Sequence, residues 1–204
     1  MTISWTDTGL VGPVNTVFGK PVLVLMTDRR LADPLSAVAK LPRGSWVILR
    51  FEDAASPPSY AVALRGLCRL RRLRFLVAGN HRLAAKLKAD GLHMSERQAQ
   101  SACLSASLSW LANKKPRRLL SVAAHSSLGL ARAACIKADA AILSPVFATS
   151  SHPDARPLGL IKFRNLSRAA KLRVIALGGV TMQSARQLRS ARIVGLAGVS
   201  MFEV

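Results

Sequence analysis

The sequence predicts a closed (β/α)8 barrel of the TIM type, and three observations carry that expectation. Eight short apolar runs alternate with segments of helical spacing between residues 21 and 197. Most of the runs are apolar at successive positions rather than alternating, as expected of strands covered on both faces. Glycines follow the last two runs, at Gly178-Gly179 and Gly198, where barrels of this kind commonly hold phosphate groups. The rival arrangement is a doubly wound open sheet. It lacks support as a dinucleotide fold, because no Gly-x-Gly-x-x-Gly follows the first strand.

Residues 1–20 show no strong period and are expected to form an N-terminal arm capping the bottom of the barrel; residues 21–204 form one barrel domain. The first strand is expected at 21–28, with a short helix at 34–40, and the second strand at 44–50. A helix at 59–73 places Leu64, Leu67 and Cys68 on its inner stripe and Arg65, Arg69 and Arg72 on another face. Strand three is 75–78, closed by Gly79-Asn80, and Leu83, Ala84 and Leu87 give the next helix its spacing. Strand four is 91–94, and the stretch 95–112, free of Gly and Pro, predicts one helix. Strand five is 119–123, after a basic turn at 114–118, and Leu128, Ala131 and Cys135 mark the face of the following helix. Strand six is 139–144, followed by a polar loop at 148–157 and a helical segment at 159–171. Strand seven is 173–177, Met182, Ala185 and Leu188 line its helix, and strand eight is 193–197. The sequence stops at Val204, where the last outer helix would begin, so that helix is expected to be absent or shortened.

Half of the 204 residues are hydrophobic and 5% are aromatic, a mix suited to a helix-rich α/β core. No run approaches the roughly 18 apolar residues of a membrane span. No basic, then apolar, leader precedes the first strand. Cys68, Cys103 and Cys135 are odd in number and form no Cys-x-x-Cys pair, which suggests buried thiols in a reducing compartment and a cytoplasmic protein. The net charge of +20 predicts attraction to anions. Two clusters, Arg65 to Arg74 and Lys114 to Arg118, contribute much of it and are expected to be a solvated basic surface. Neither has interleaved aromatics or a nucleic-acid motif, so nucleic acid is not an expected partner. A small anionic molecule is, and association into a homo-oligomer is left open.

A barrel site is built from the loops after the strands. That rule nominates Thr27, Asp28, Arg50, Asn80, His93, His125, Ser144, His152, Gly178, Gly179, Gly198 and Ser200. Successive N–H groups near Gly179 and from Gly198 through Val199 to Ser200 can face a phosphate, which glycine allows by letting the backbone approach closely. Arg50 ends an otherwise apolar strand and could grip a phosphate bidentately or pair with Asp28, Glu52 or Asp53. His125 and His152 are candidates for proton transfer, while His93 is equally a structural residue at a strand end. No spacing resembles a zinc site.

Taken in order, the segments Leu25-Met26-Thr27-Asp28, Ala89 to His93, Ala124-His125-Ser126, Ser144 to Phe147, Pro157 to Gly159, Ala176 to Val180 and Ala197 to Ser200 resemble the thiamine-phosphate synthase and thiazole tautomerase family. The resemblance implies a transferase that joins an aminopyrimidine methyl diphosphate to a thiazole phosphate and releases pyrophosphate. It implies substrate and phosphate contacts at Asn80, Thr149, Ser151, Gly178, Gly179, Gly198, Val199 and Ser200, with Arg50, His125 and His152 as catalytic candidates. It also implies magnesium, held by carboxylates.

The chain departs from the family pattern at several of those places. Of the family's Gln-x-Arg-x-Lys strand end only Arg50 stands, flanked by Ile48 and Glu52. The Asn-Asp-Arg turn becomes Gly79-Asn80-His81-Arg82, and the Gly-Gln-x-Asp segment aligns with Ser95-Glu96-Arg97-Gln98, so neither usual magnesium carboxylate is present. The Ser of Ser-x-His aligns with Ala123, and Thr-x-Thr-Lys becomes Thr149-Ser150-Ser151-His152. The tautomerase branch needs no magnesium, but its catalytic histidine aligns with Pro145. A tautomerase-like isomerase using His125 or His152, and a non-catalytic phosphate-ligand-binding protein of thiamine metabolism, are the other readings the residues leave open.

Overall fold

Each apolar run forms a parallel strand, and the strands close on themselves. The computed structural model describes residues 22–28, 31–51, 59–100, 104–113, 118–149 and 154–199. The strands are β1 (Val22–Met26), β2 (Trp46–Leu49), β3 (Arg74–Ala78), β4 (Gly91–Met94), β5 (Leu119–Ala124), β6 (Ala140–Leu143), β7 (Val174–Ala176) and β8 (Gly195–Gly198). They pair in sequence order, and β8 returns to β1 with Val22 opposite Gly195 and Leu25 opposite Gly198. That last ladder excludes the open sheet.

Between the strands run α1 (Pro34–Ala39), α2 (Ala61–Leu70), α3 (His81–Lys86), α4 (Leu104–Ala112), α5 (Ser127–Cys135), α6 (Gly159–Ala169) and α7 (Met182–Ala185). The described residues thus carry fewer outer helices than strands. None of these helices is long and apolar enough to cross a membrane. The proposed arm at 1–20, the turn residues Lys114, Lys115 and Arg117, Cys103, and the segment where a last helix would start all lie outside the described residues.

Strand side chains alternate between two cores, as a period of two demands. Outward residues such as Leu23, Leu25, Val47, Phe75, Val77, Leu92, Val122 and Leu143 meet the helices. Inward residues fill the barrel: Val24 and Met26 from β1, Trp46 and Ile48 from β2, Leu76, Ala140, Ile142, Ile175 and Ala197 from others. On β4 and β5 the inward positions instead include His93 and Ser121, which sit opposite each other in the ladder. This places one polar pair inside an otherwise apolar barrel.

The structure corrects three expectations. Leu128, Ala131 and Cys135 form a stripe at helical spacing, but it is the exposed one; α5 packs through Gly129, Leu130 and Ala133. Small residues let this helix sit close to the sheet, so apolar spacing alone pointed to the wrong side. Cys135 is accordingly exposed rather than buried, whereas Cys68 is fully buried.

The expected single helix over 95–112 is also divided. Ser95 accepts the Gln98 N–H through its hydroxyl, and a 3₁₀ turn at Gln98–Gln100 precedes α4. A side chain that satisfies a local N–H competes with helix formation in this way.

Finally, Arg65 is not part of a solvated face. Its guanidinium makes a two-pronged pair with Asp90 (2.9 and 3.2 Å), donates to the Lys88 carbonyl and lies 5.7 Å from the Phe75 ring centre. Arg118 is likewise held, 4.1 Å over the Trp110 ring. Arg69, Arg72 and Arg74 are exposed, as a solvated surface requires.

Candidate active site at the C-terminal ends of the strands

The loops that follow the strands enclose a cavity of about 1290 Å³ at the upper end of the barrel. Its floor is made by inward strand residues, among them Met26, Ala78, His93, Ala123, Ile142 and Ala197. Its walls come from the segments after β2 through β8.

Arg50 enters this cavity from the end of β2, and Thr27 sets its backbone. The buried Thr27 hydroxyl accepts the Arg50 N–H at 2.9 Å and lies 3.3 to 3.4 Å from the Arg50 and Ile48 carbonyls. One hydroxyl therefore ties the tops of β1 and β2 together. The Arg50 guanidinium is 3.9 Å from the Asp28 carboxylate, a long ion pair, and its side chain remains 38% exposed. Glu52 and Asp53, the other suggested partners, lie outside the described residues.

His93 lies on the cavity floor with Nδ1 2.9 Å from the Ser121 hydroxyl. Burial pushes its pKa down to about 4, and the nearby positive charge of Arg50 adds to that effect. At neutral pH it is an uncharged imidazole, a state that desolvation favours.

His125 belongs to the loop after β5 and also lines the cavity. Its Nδ1 is 2.8 Å from the Ser144 carbonyl oxygen. A carbonyl only accepts, so Nδ1 carries the proton and, in the neutral ring, Nε2 is left as an acceptor. Glu96 anchors the same loop by accepting the His125 N–H at 3.0 Å and approaching the Ser126 hydroxyl at 3.5 Å. Its carboxylate thus sits at the start of α5, where negative charge is favourable.

Gly178 and Gly179 form the turn after β7 with φ of +92° and +63°. Their glycine requirement has a packing cause besides the backbone angle. A Cβ on Gly178 would lie 2.6 Å from Pro145, and one on Gly179 would lie 2.2 Å from the Ala148 carbonyl oxygen. The turn is therefore pressed against the loop after β6, which carries Thr149 to the cavity wall. Gly198, the last residue of β8, and Val199 after it complete the wall.

The structure thus brings Arg50, His93, His125, Thr149, Gly178, Gly179, Gly198 and Val199 to one cavity. Asn80 is placed differently: its side chain caps α3 by accepting the Leu83 N–H at 2.9 Å, and Gly79 beside it lines the cavity instead. Ser151, His152 and Ser200 lie outside the described residues. Sequence reasoning missed Ser95, Arg97 and Gln98, which form the wall after β4. The signal available was position, since all three follow strand four within one turn.

The donor set does not fit a magnesium ion. None of the described residues lining the cavity is Asp or Glu, and no group of three or more His, Cys, Asp or Glu among the described residues is placed to hold a metal. A hard divalent cation binds through carboxylate and other oxygens, with carboxylates supplying the charge.

An eight-stranded parallel barrel with a cavity above its strand ends, a glycine turn after β7 and Gly198 closing β8 has the architecture in which such barrels place their ligand sites. The chain belongs to the thiamine monophosphate synthase family (TMP-TENI), whose model matches residues 23–202. It is 30% identical over 190 residues to a putative thiamine-phosphate synthase 2 of Aquifex aeolicus, covering 89% of this chain and 97% of that one. It is 29% identical to a thiamine-phosphate synthase of Roseiflexus castenholzii, covering 94% and 85% respectively. Among solved structures it resembles a thiamine phosphate pyrophosphorylase from Pyrococcus furiosus, with a TM-score of 0.66 and 22% identity over 88% of this chain and 85% of that one. That last likeness concerns the fold.

Proposed function

We propose that this chain forms thiamine phosphate by joining an aminopyrimidine methyl diphosphate to a thiazole phosphate. The methylene–oxygen bond breaks, its electron pair leaves with pyrophosphate, and the thiazole nitrogen captures the pyrimidine carbocation. The observation that carries this reading is the cavity itself, which combines the glycine turn after β7 and Gly198 at the end of β8 with a wall that carries Arg50 and Arg97. Backbone N–H groups near Gly179 and from Gly198 to Ser200 would receive the thiazole phosphate, because oriented amides favour an anion without needing a side-chain charge. Arg50 would face the diphosphate, where a fixed positive charge stabilises the leaving group as the bond breaks. Thr149, which lines the cavity beside the glycine turn, would contribute to the same phosphate contacts, together with Ser151 and His152. Asn80 acts by fixing the start of α3 next to the Gly79 turn.

The test is to supply purified protein with both phosphorylated substrates, with magnesium and separately with a chelator. Thiamine phosphate and pyrophosphate should form in equal amounts. Turnover no faster than the protein-free blank under both conditions would overturn the reading.

One observation favours a second reading. His125 holds its Nδ1 proton on the Ser144 carbonyl and presents Nε2 as a base, which suits proton transfer on a thiazole phosphate. Protein-dependent proton exchange at the thiazole, followed by NMR and lost in His125→Ala, would support that isomerase. Exchange at the buffer rate would remove it.

A further inference from the structure

The wall after β2, β3 and β4 carries an inference about how a diphosphate would be held. Strand order places Arg50 after β2, Gly79 after β3 and Arg97 after β4, and all three line the same cavity, so two arginines stand on the loops either side of one glycine turn. Arg97 is exposed, and the ion pairs among the described residues, Arg50 with Asp28 and Arg65 with Asp90, do not include it. Both nearby described acids already have partners. Glu96 is engaged by the His125 N–H and lies against α5, and Asp28 stands beside Arg50.

Gln98 occupies the space over the turn. Its Nε2 donates to the Gly79 carbonyl at 3.2 Å, and its Oε1 accepts from the Ser95 N–H at 3.0 Å. A Cβ on Gly79 would fall 2.5 Å from that Nε2, and its φ of +68° disfavours any side chain. A neutral amide thus fills the place where a carboxylate would have to stand, and its oxygen is already used.

A divalent cation would meet two positive side chains here and no carboxylate among the described lining residues, whereas a diphosphate would meet complementary charge. We propose that this wall is a metal-independent diphosphate site, in which the Arg50 and Arg97 guanidinium groups supply the positive charge that a bound magnesium ion would otherwise bring. The inference deepens the synthase reading, on which its assignment to the pyrimidine diphosphate rests. Arg97 would be a binding residue for the leaving group, approaching it as a planar fork that can give two parallel hydrogen bonds.

Calorimetric titration of the full chain with inorganic pyrophosphate tests the site directly. Binding in excess EDTA should be at least as tight as binding in magnesium, and it should weaken as salt rises. Arg97→Gln should weaken it about tenfold or more, the usual scale for losing a charged hydrogen-bond donor. Gln98→Asp should also weaken binding in EDTA, because it adds negative charge to the same wall. Arg69→Ala, on the exposed face of α2, should leave it unchanged. Binding that requires magnesium, or that is indifferent to Arg97→Gln in a folded variant, overturns the proposal. Thiamine phosphate formed only with magnesium, together with magnesium-dependent pyrophosphate binding, would leave the synthase reading standing without this one. Pyrophosphate bound in EDTA with no thiamine phosphate under any condition would leave this site standing without the synthase.

Discussion

The two ends of the barrel treat charge in opposite ways. At the lower end, acids sit where strands begin and are bonded inward. Asp90, immediately before β4, accepts the Phe75 N–H of β3 at 2.9 Å as well as the Arg65 guanidinium. Asp139, immediately before β6, accepts the Leu120 N–H of β5 at 2.7 Å. The same device thus appears twice, each acid stapling the start of its own strand to the preceding one. At the upper end the described lining of the cavity holds Arg50 and Arg97 and no acid, and the ion pair of Arg50 is stretched to 3.9 Å. Satisfied charge at the lower end serves stability; at the upper end the described cavity lining carries a surplus of positive side chains, as a site for an anion would.

The largest effect should come from breaking the lower end. Asp90→Ala removes the partner of a largely buried guanidinium and leaves the Phe75 N–H without its acceptor. Losing one partner of a buried pair typically costs about 3–5 kcal/mol. A urea titration should show a fall of that order with little change in slope. A loss below about 1 kcal/mol would mean that the staple contributes no more than a surface pair.

His93 tests the upper end through pH. Unfolded, its imidazole titrates near 6.5; folded, burial and then Arg50 hold it near 4. Between those values the unfolded chain binds more protons. The stability due to neutral His93 is therefore complete above about pH 6.5 and is lost as pH falls toward 4, a change on the order of 3 kcal/mol. Wild type should lose that much more than His93→Gln over this window. Parallel stability curves for the two proteins would show that the site does not oppose protonation.

How much of this was legible in advance depended on whether the signal was periodic. Most of the eight strands are short, nearly continuous apolar runs, and such runs mark themselves; β4, with His93 among its four residues, was the least marked. The glycine turn at Gly178-Gly179 was readable because a special backbone conformation needs a special residue. Arg97 and Gln98 were not, since their role comes from a 3₁₀ turn that Ser95 creates by bonding Gln98. A helix was the natural reading of that Gly-free stretch. Arg65 was misassigned for a related reason: its partner Asp90 is 25 residues away, and only the packing of α2 against β3 and β4 brings them together. The stripe on α5 misled because Gly129 and Ala133, which make its contact face, carry almost no hydrophobic signal.

A smaller change should sharpen the link between the ends. Thr27→Val keeps the shape of the buried side chain but leaves the Arg50 N–H without its acceptor. The expected loss of stability is about 1–2 kcal/mol, within the range for an unsatisfied buried donor. Pyrophosphate binding should weaken as well, because the Arg50 backbone is no longer fixed to β1. Full stability with weakened binding would separate positioning from folding, and unchanged binding would remove Thr27 from the site.

The gentlest probe uses the cysteines and leaves both ends intact. Cys68 lies in α2 one turn from Arg65, fully buried, and burial is the main reason its thiol is raised to about 12. Asp90 raises it further and Arg65 opposes the rise. The nucleophile in thiol modification is the thiolate, so this side chain should not react while the lower end is closed. Cys135 is exposed at the end of α5 and supplies an internal control. In a Cys103→Ser background, a maleimide should modify Cys135 promptly and Cys68 only as the fold opens. The rate at Cys68 then reports how often the lower end opens, without altering any contact. Asp90→Ala should speed Cys68 modification many-fold and leave Cys135 unchanged, whereas Arg97→Gln, at the upper end, should change neither. Equal acceleration at Cys68 by both variants would show that the two ends open as one unit, and the division of labour between them would fail.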